Sequence, residues 1–402
     1  MMKRGIVSSG ARFAAVVAVA ALVFSACGSS GGKSSSSSKS SGIPAGDIKI
    51  GALLTLNGPL AAIGTSQKVN DAALVDALNA TGGIAGHPVK LIALNDQGDP
   101  ATAVAAAQQL VSDHVAGVIY AGTSATVTQT VPVFMKSKVP VVMLDPLDQW
   151  DDGAKYPYFF DNYPLNQGTT DKMAQFAATT LKATKVGVLT DGSTFGDTLL
   201  SDLKKSVGKE GVHITDTETY QPTSPDVTTQ VRKLQSSGAD ALVLFAAAGM
   251  GHVYDAMRTV GWKPPIITTA ASFFDGYTSL GDLGPTAYSN CAVALQQGEQ
   301  PDTGMADVLK VVTAKTGVNP SVGQVVLTAD DFKILKSAIE QTNSLDPDKI
   351  KHAIEGYKDK SFTTPTIRYT WSATHHGGWP NSQMRMCKMT PLGPYDLPYI
   401  AG

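Results

Sequence analysis

From residue 47 onward, short apolar runs alternate with longer segments in which apolar residues recur every three or four positions. The short runs are typical of buried strands, and the longer periodic segments are typical of helices. Strands are predicted at 48–54, 89–94, 117–121 and 140–144 in the first half, and at 186–190, 214–219, 241–246 and 266–269 in the second. The alternation predicts an α/β protein with parallel strands.

Helical segments fill the spaces between these strands. The segment 100–114 places Val104, Ala107 and Val111 on one face, and Asp99 followed by Pro100 is typical of a helix start. A further helical pattern covers 328–342. The chain of 402 residues is long for one domain, so we expect two similar α/β halves joined through the aromatic segment 157–164.

The first 26 residues have the pattern of a signal peptide. Lys3, Arg4 and Arg12 precede an unbroken apolar run at 13–24, which is shorter than a bilayer span requires. No later stretch reaches the roughly 18 uninterrupted apolar residues of a membrane helix. We therefore expect the rest of the chain to lie in solution outside the cytoplasm.

The apolar run ends in Phe24-Ser25-Ala26-Cys27, which resembles the lipobox of bacterial lipoproteins, with Phe24 where leucine is usual. Residues 28–46 are almost entirely Gly and Ser, a composition that forms a flexible tether. Residues 27–46 are thus predicted to be a lipidated cysteine followed by a tether. The alternative is ordinary cleavage after Ala26, which leaves Cys27 as an incidental thiol.

The cysteine count bears on a possible disulfide, and the charge bears on the expected partners. Once Cys27 is lipidated, Cys291 and Cys387 remain, and an even number in an oxidising compartment favours a disulfide over two buried thiols. The formal charge is −2, and setting aside the five cations that precede Asp47 leaves −7 for the remainder. The chain has no basic stripe with interleaved aromatics, so nucleic acid is not an expected partner.

Four stretches resemble the leucine/isoleucine/valine-binding family of periplasmic binding proteins. They are DIKIGALLTLNGPLAAIG from Asp47, NATGGIAGHPVKLIALNDQGDP from Asn79, TFGDTLLSDLKKSVGKEG from Thr194, and SPDVTTQVRKLQSSGADALVLF from Ser224. With GMGHVYDAMRTVGW from Gly249 they span almost the whole chain after the tether. The resemblance lies in their order and spacing.

The resemblance implies two Rossmann-like lobes with parallel sheets, joined by three crossovers and closing around a ligand in the cleft. The crossovers are expected near 160–164, 290–295 and 363–367. The N-terminal lobe would comprise 47–161 plus 292–363, and the C-terminal lobe 162–291 plus 364–402. The implied function is an extracytoplasmic substrate-binding lipoprotein, a monomer that delivers a small organic solute to the permease of an ABC importer.

A polar loop follows the predicted strand 117–121. In parallel sheets ligands bind at the carboxyl ends of strands, where helix N-termini offer free backbone N–H groups. Gly122, Thr123 and Ser124 could therefore hold a carboxylate or another polar oxygen. The alternative is that Thr123 or Ser124 only caps the following helix.

Two positions depart from the pattern of amino-acid binders. The loop after strand 140–144 lacks hydroxyls and offers Asp145 and Gln149 as ligand contacts, although Asp145 and Asp148 could equally be turn and capping residues. Where the family places an acidic partner for the ligand's ammonium, this chain has Ala270 and Ala271. A standard α-amino acid is therefore not the expected ligand.

The resemblance carries further lining positions onto Ile63, Phe195, Ala247, Ala248 and Gln324. Phe195 would form an apolar wall, or would only pack against a helix start. Ala247 and Ala248 have small side chains that leave space in the pocket, and the aromatic pair Phe273-Phe274 lies nearby. These features predict a roomy, partly aromatic pocket for an amino-acid-like solute, an amide, an aromatic compound or an organic acid.

An enzyme, a cofactor and a metal site are not expected. His375-His376 is the only histidine pair, and its Gly-rich surroundings predict a solvated turn between the last two strands. There is no nucleophile elbow and no phosphate-binding loop. One alternative of a different class remains open, a sensor that reports ligand occupancy to a membrane signalling partner. In either case we expect anchoring by lipid on the outer face of the cell membrane.

Overall fold

The computed structural model describes residues 42–58, 61–274, 276–317 and 324–401. The predicted signal peptide, Cys27 and most of the tether lie outside the described residues. Among the helices of the described part of the chain, none is both long and apolar enough to cross a membrane. The structure contains two sheets with helices packed against them, and each sheet forms the centre of one lobe.

The first sheet has five strands, all parallel, in the order β2-β1-β3-β4-β5. Four of its strands are almost entirely buried because helices cover both faces of a parallel sheet, and the edge strand β2 is only partly buried. The strands are β1 Ile48–Leu54, β2 Val89–Asn95, β3 Gly117–Ala121, β4 Val141–Met143 and β5 Phe159–Asp161, and the helices between them are α1 Ala61–Ala80, α2 Pro100–Ser112 and α3 Ser124–Ser137.

The second sheet has seven strands in the order β12-β11-β10-β9-β8-β6-β7. It is mixed: β11 is antiparallel to both β10 and β12, whereas the sequence predicts parallel sheets. The direction differs because β11 follows a crossover from the other lobe, so no right-handed helical connection fixes it. The strands are β6 Lys185–Thr190, β7 His213–Thr219, β8 Ala241–Phe245, β9 Ile266–Thr268, β10 Ala287–Cys291, β11 Arg385–Leu392 and β12 Pro398–Ile400.

The helices of the second half divide between the two lobes. Those between β5 and β9 belong to the second sheet: α4 Asn166–Thr179, α5 Thr194–Val207, α6 Thr228–Ser236 and α7 Met250–Val260. The next three return to the first sheet: α8 Thr303–Thr316, α9 Gln324–Thr342 and α10 Pro347–Glu355. Helix α1 contacts α8 and α9, and α9 contacts β3 and β4. The first lobe is therefore built from two separate stretches of chain.

Residues 364–379 pack on the first lobe, although the predicted boundary at 364 assigns them to the second. The indole Nε1 of Trp371 donates to the carbonyl oxygen of Asp161 at 3.2 Å. The ring of His376 stacks on Phe160 with centroids 4.3 Å apart. Aromatic side chains of this stretch complete the core of the first lobe, so the last crossover falls just before β11 rather than at 363–367.

The same stretch corrects the expectation for the histidine pair. His375 is exposed, but His376 is fully buried, and its Nδ1 lies 2.8 Å from the carbonyl oxygen of Phe159. Both histidines precede β11, so the predicted turn between the last two strands is wrong in its place, and only His375 is exposed to solvent as predicted. Ring stacking and the hydrogen bond to β5 bring His376 inside.

A disulfide joins Cys291 of β10 to Cys387 of β11, with Cα atoms 6.0 Å apart and a sequence separation of 96 residues. The antiparallel register pairs Ser289 with Cys387 and Cys291 with Arg385, so the two cysteines lie on neighbouring strands. The loop that the bond closes contains α8, α9 and α10. A cross-link of this length restricts the unfolded chain strongly.

Candidate ligand-binding site

A cavity of about 450 Å³ lies between the lobes, at the carboxyl ends of strands from both sheets. Loops after β3 and β4 line it from the first lobe, and loops after β6, β8 and β9 line it from the second. This is where parallel α/β sheets bind ligands, and the volume lies within the roughly 300–1,000 Å³ of small-molecule sites.

Every ligand-contact position in the sequence prediction, apart from Gln149 and Ala248, lies in the wall of this cavity. Gln149 is exposed in the short 3₁₀ helix Asp148–Asp151, because the buried ring of its neighbour Trp150 points inward. Ala248 is buried behind the wall. The predicted positions that line the cavity are Ile63, Gly122, Thr123, Ser124, Asp145, Phe195, Ala247, Ala270, Ala271 and Gln324.

The first-lobe wall is built on the N-terminus of α3. Thr123 is the N-cap, and it forms a capping box in which its hydroxyl accepts from the backbone N–H of Thr126 at 3.1 Å. The Ser124 hydroxyl donates to Oδ2 of Asp145 at 2.7 Å. The side chains of Thr123 and Ser124 therefore already have hydrogen-bond partners within the protein. Helix α3 can still offer a ligand the backbone N–H groups of its first turn.

Asp145 is buried and makes a local network. Its Oδ1 accepts from Trp150 Nε1 at 2.7 Å and from the backbone N–H of Leu147 at 3.2 Å. Burial raises the pKa of this carboxyl, and the hydrogen bonds from Trp150 and Ser124 oppose that shift. Both carboxylate oxygens accept hydrogen bonds from protein donors. Of the two roles that the sequence leaves open for Asp145, a ligand contact or a turn residue, this bonding favours the turn residue.

Asp148 connects the two lobes. Its oxygens accept from the backbone N–H of Gln167, in the first turn of α4, at 3.1 and 3.3 Å. Burial, followed by the nearby Asp202 of α5, raises the pKa of Asp148 to about 6, while the Gln167 N–H and the charge of Lys205 lower it. This carboxyl thus caps a helix of the opposite lobe.

The second-lobe wall presents a second helix start. Ser193 is the N-cap of α5, and its hydroxyl accepts from Gly196 N at 3.1 Å. Asp191, directly after β6, accepts from the backbone N–H groups of Ser193 at 3.0 Å and Ala247 at 2.8 Å. This bracing positions Phe195 and Ala247 on the cavity surface, where Phe195 is a wall residue.

Two of the polar wall residues that the sequence prediction missed have unpaired side chains. Asn166, the first residue of α4, is 1% exposed, and neither its side-chain oxygen nor its nitrogen has a hydrogen-bond partner within the protein. Thr269 is 3% exposed, and its hydroxyl likewise has none. Buried polar atoms are nearly always paired, so unpaired ones on a cavity wall mark positions where a ligand or water completes the bonding.

Tyr163 and Asn290 line the cavity where the first two crossovers meet. Burial raises the pKa of Tyr163 to about 12, and a hydrogen bond with the Asn290 side chain lowers it, so the phenol stays protonated at neutral pH. Asn290 Oδ1 also accepts from the backbone N–H of Ala270 at 2.9 Å. This chain of bonds fixes the start of the short 3₁₀ helix Ala270–Phe273.

The cavity wall is poor in charge. Among its described residues Asp145 is the only one with a charged side chain, and no lysine, arginine or histidine lines it. Phe195, Leu199 and Phe274 supply apolar surface. The described residues also contain no group of three or more His, Cys, Asp or Glu side chains that could hold a metal ion. The arrangement suits a solute held by hydrogen bonds and apolar contact.

Two lobes of α/β structure that enclose a ligand-sized cavity at the carboxyl ends of their strands define a solute-binding protein. The sequence model of the periplasmic binding protein family matches residues 47–391. The chain belongs to this family. Its members are extracytoplasmic substrate-binding proteins and not enzymes, as the sequence predicts.

Relatives with known names share modest identity. The leucine-, isoleucine-, valine-, threonine- and alanine-binding protein of Pseudomonas aeruginosa is 21% identical over 329 residues, which cover 81% of this chain and 86% of that protein. Leu/Ile/Val-binding protein homolog 3 of Brucella melitensis is 29% identical over 201 residues, and there the match spans only 49% of this chain and 53% of the relative.

Solved structures share the fold. A type 1 periplasmic binding protein from Bordetella pertussis has a TM-score of 0.76 at 22% identity, covering 88% of this chain and 99% of that one. The branched-chain amino acid transporter substrate-binding protein LivJ of Streptococcus pneumoniae, in complex with isoleucine, has a TM-score of 0.75 at 20% identity with the same coverage. Both confirm the two-lobed fold.

Proposed function

We propose that this chain is a lipid-anchored substrate-binding protein of an ABC importer, which captures a neutral or anionic organic solute between its lobes. The observation that carries the proposal is the wall of the interlobe cavity. The residues of this wall that the structure describes offer two helix N-termini and unpaired polar side chains, yet no carboxylate that is free to accept an ammonium group. The partner is the importer's permease.

The lack of an ammonium partner among the described wall residues argues against a branched-chain amino acid as the solute. Ala270 and Ala271 stand where the family resemblance leads us to expect an acidic residue, and Asp145 is occupied by Ser124 and Trp150. A buried ammonium without a counter-charge is costly. The names of relatives refer to leucine, isoleucine and valine, but this wall favours a solute without the amino group.

Closure of the lobes is part of the proposal. Helix α3 of the first lobe contacts α5 of the second, and residues of both walls meet across the same cavity. A ligand shifts the equilibrium between open and closed forms by the difference in its contacts with the two. A solute that touches both walls therefore stabilises the closed form.

A thermal-shift screen of amino acids, amides, aromatic acids and short organic acids, followed by small-angle scattering with the best ligand, tests this function. We expect neutral and anionic solutes to raise the unfolding temperature, since a ligand at 100 times its Kd stabilises by about 2.7 kcal/mol. The radius of gyration should fall on saturation. A screen without any stabilising solute contradicts solute binding, and an unchanged radius contradicts closure.

Anchoring by lipid rests on Cys27 and the Gly/Ser tether that follows it. Acyl chains hold a protein at the membrane, and two or more hold it stably. Cys27→Ala should move the protein from the membrane fraction to the soluble fraction, with a Ser25→Ala variant as the control. Mass spectrometry of the mature N-terminus should find a lipidated cysteine at its first position; an unmodified terminus contradicts the anchor.

A further inference from the structure

The side chain of Asn166 is the most unusual polar group in the described cavity wall. It is 1% exposed, and both its amide atoms lack a hydrogen-bond partner within the protein. Leaving a buried donor or acceptor unpaired destabilises a protein, so such a group is kept where it has a role. The cavity is the space from which its partners can come.

Contacts with the first lobe hold the start of α4 in place. The backbone N–H of Asn166 donates to the carbonyl oxygen of Pro146 at 2.7 Å. The next N–H, of Gln167, donates to Asp148. These backbone hydrogen bonds fix the position of Asn166, so its side-chain amide remains available to a ligand.

An asparagine amide has two N–H donors and a carbonyl acceptor, so a single ligand group satisfies both of its ends only when that group both donates and accepts. A carboxylate only accepts and leaves Oδ1 without a partner, whereas an ammonium only donates and brings a charge that no free carboxylate of the described wall compensates. A primary carboxamide does both and is neutral. Thr269, also unpaired on this wall, can satisfy a further polar atom of the same solute.

We propose that Asn166 selects the ligand, and that it favours a solute with a primary carboxamide joined to an apolar body. The apolar part lies against Phe195, Leu199 and Phe274. This proposal rests on the solute-binding function above and adds the chemical class and the selecting residue.

Calorimetric titration of the mature chain in mild detergent with two matched sets of probes tests the proposal. The sets are 4-methylpentanamide, 4-methylpentanoate and leucine, and 3-phenylpropanamide, 3-phenylpropanoate and phenylalanine. In at least one set the amide should bind most tightly. Asn166→Leu should weaken that amide about ten- to hundredfold, the range for losing hydrogen bonds to a buried group.

Asn166→Asp is the sharper variant because an acidic residue in the first turn of a helix is favourable, so α4 should form. It removes the donor and adds the missing counter-charge, and the ratio of amide to amino-acid affinity should fall about a hundredfold. Asn381→Asp is the control: Asn381 is exposed and packs against Gly168 of the same helix without lining the cavity. It should leave the ratio unchanged.

The outcomes distinguish the proposed role of Asn166 from the proposed solute-binding function. Amides that bind no more tightly than their acids and amino acids, or an amide affinity that Asn166→Leu leaves unchanged, overturn the role of Asn166 while solute binding stands. An equal change of the ratio in Asn381→Asp also overturns it, since a remote charge would then suffice. Failure of every solute class in the broader thermal-shift screen would instead remove the solute-binding function.

Discussion

The two walls of the cavity are built differently. On the first lobe the side chains of Thr123, Ser124 and Asp145 are bonded to one another or to the neighbouring backbone. On the second lobe Asn166 and Thr269 face the cavity with unpaired atoms. The three side chains of the first wall have their partners within the protein, and the two of the second wall do not.

This difference assigns the walls different tasks. A fully paired network stabilises the fold and presents backbone N–H groups that any polar oxygen can use. Unpaired side chains cost stability and gain partners only from a solute of matching chemistry. Changes to the first wall should therefore lower the stability of the fold, and changes to the second should lower affinity.

The largest expected effect is that of Asp145→Ala on stability. The substitution leaves buried donors of Ser124 and Trp150 without their acceptor, and each such loss costs roughly 1–3 kcal/mol. We expect the free energy of unfolding to fall by about 3 kcal/mol or more in denaturant titrations, and Asp145→Asn to cost less. Unchanged stability with lost binding would make Asp145 a ligand contact instead.

Two adjacent threonines give a matched pair for the second wall. Thr269→Val removes an unpaired hydroxyl, so we expect solute affinity to fall about tenfold with little loss of stability. Thr268→Val removes a hydroxyl that donates to the Leu244 carbonyl at 3.0 Å and does not line the cavity. That variant should lose about 1 kcal/mol of stability and keep its affinity. Loss of stability in Thr269→Val together with loss of affinity in Thr268→Val would contradict the distinction between the walls.

A weaker effect is expected at Asp148, which connects the two lobes through the Gln167 N–H. Burial and the nearby Asp202 raise its pKa to about 6 where the lobes meet, so the proposed closed form favours the protonated carboxyl. The contribution to closure is complete below the ordinary pKa of aspartate and declines as the pH rises through about 6. Because the carboxyl is partly exposed, we expect the Kd to rise only roughly 3- to 10-fold between pH 5 and 7.5.

Asp148→Asn is the control for this dependence, because asparagine keeps an acceptor for the Gln167 N–H but does not titrate. Its Kd should stay constant over the same range. Calorimetry at the two pH values measures both proteins. A dependence that persists in the variant would assign the titration to another group.

Sequence alone predicts the sheets well where strands are buried on both faces. β1 and β3 have the predicted bounds, since an apolar run bounded by turn residues leaves little freedom. β5 and β10 were predicted only as crossovers, because Phe159–Asp161 is too short to show a pattern. The return of residues 364–379 to the first lobe depends on long-range aromatic packing that periodicity does not encode.

Most residues predicted as ligand contacts line the cavity, but the hydrogen bonds among them were not predicted. Loops after β3, β4, β6, β8 and β9 follow from the rule that ligands bind at strand ends, and the resemblance supplied their residues. Asp145 is occupied through hydrogen bonds from Ser124, Leu147 and Trp150, and Asn166 lacks such partners; hydrophobic periodicity shows neither, because it does not encode side-chain hydrogen bonds. Asn166 carries one local signal, its place at the start of a helix directly after a crossover.

One calorimetric comparison measures whether the cavity prefers a solute without an ammonium group. Leucine and 4-methylpentanoate share the same carbon skeleton and differ only in the amino group, and both are titrated into the wild-type protein at pH 7. We expect 4-methylpentanoate to bind at least tenfold more tightly, because the ammonium of leucine finds no free carboxylate in the described wall. Leucine binding that is equal or tighter would contradict the claim.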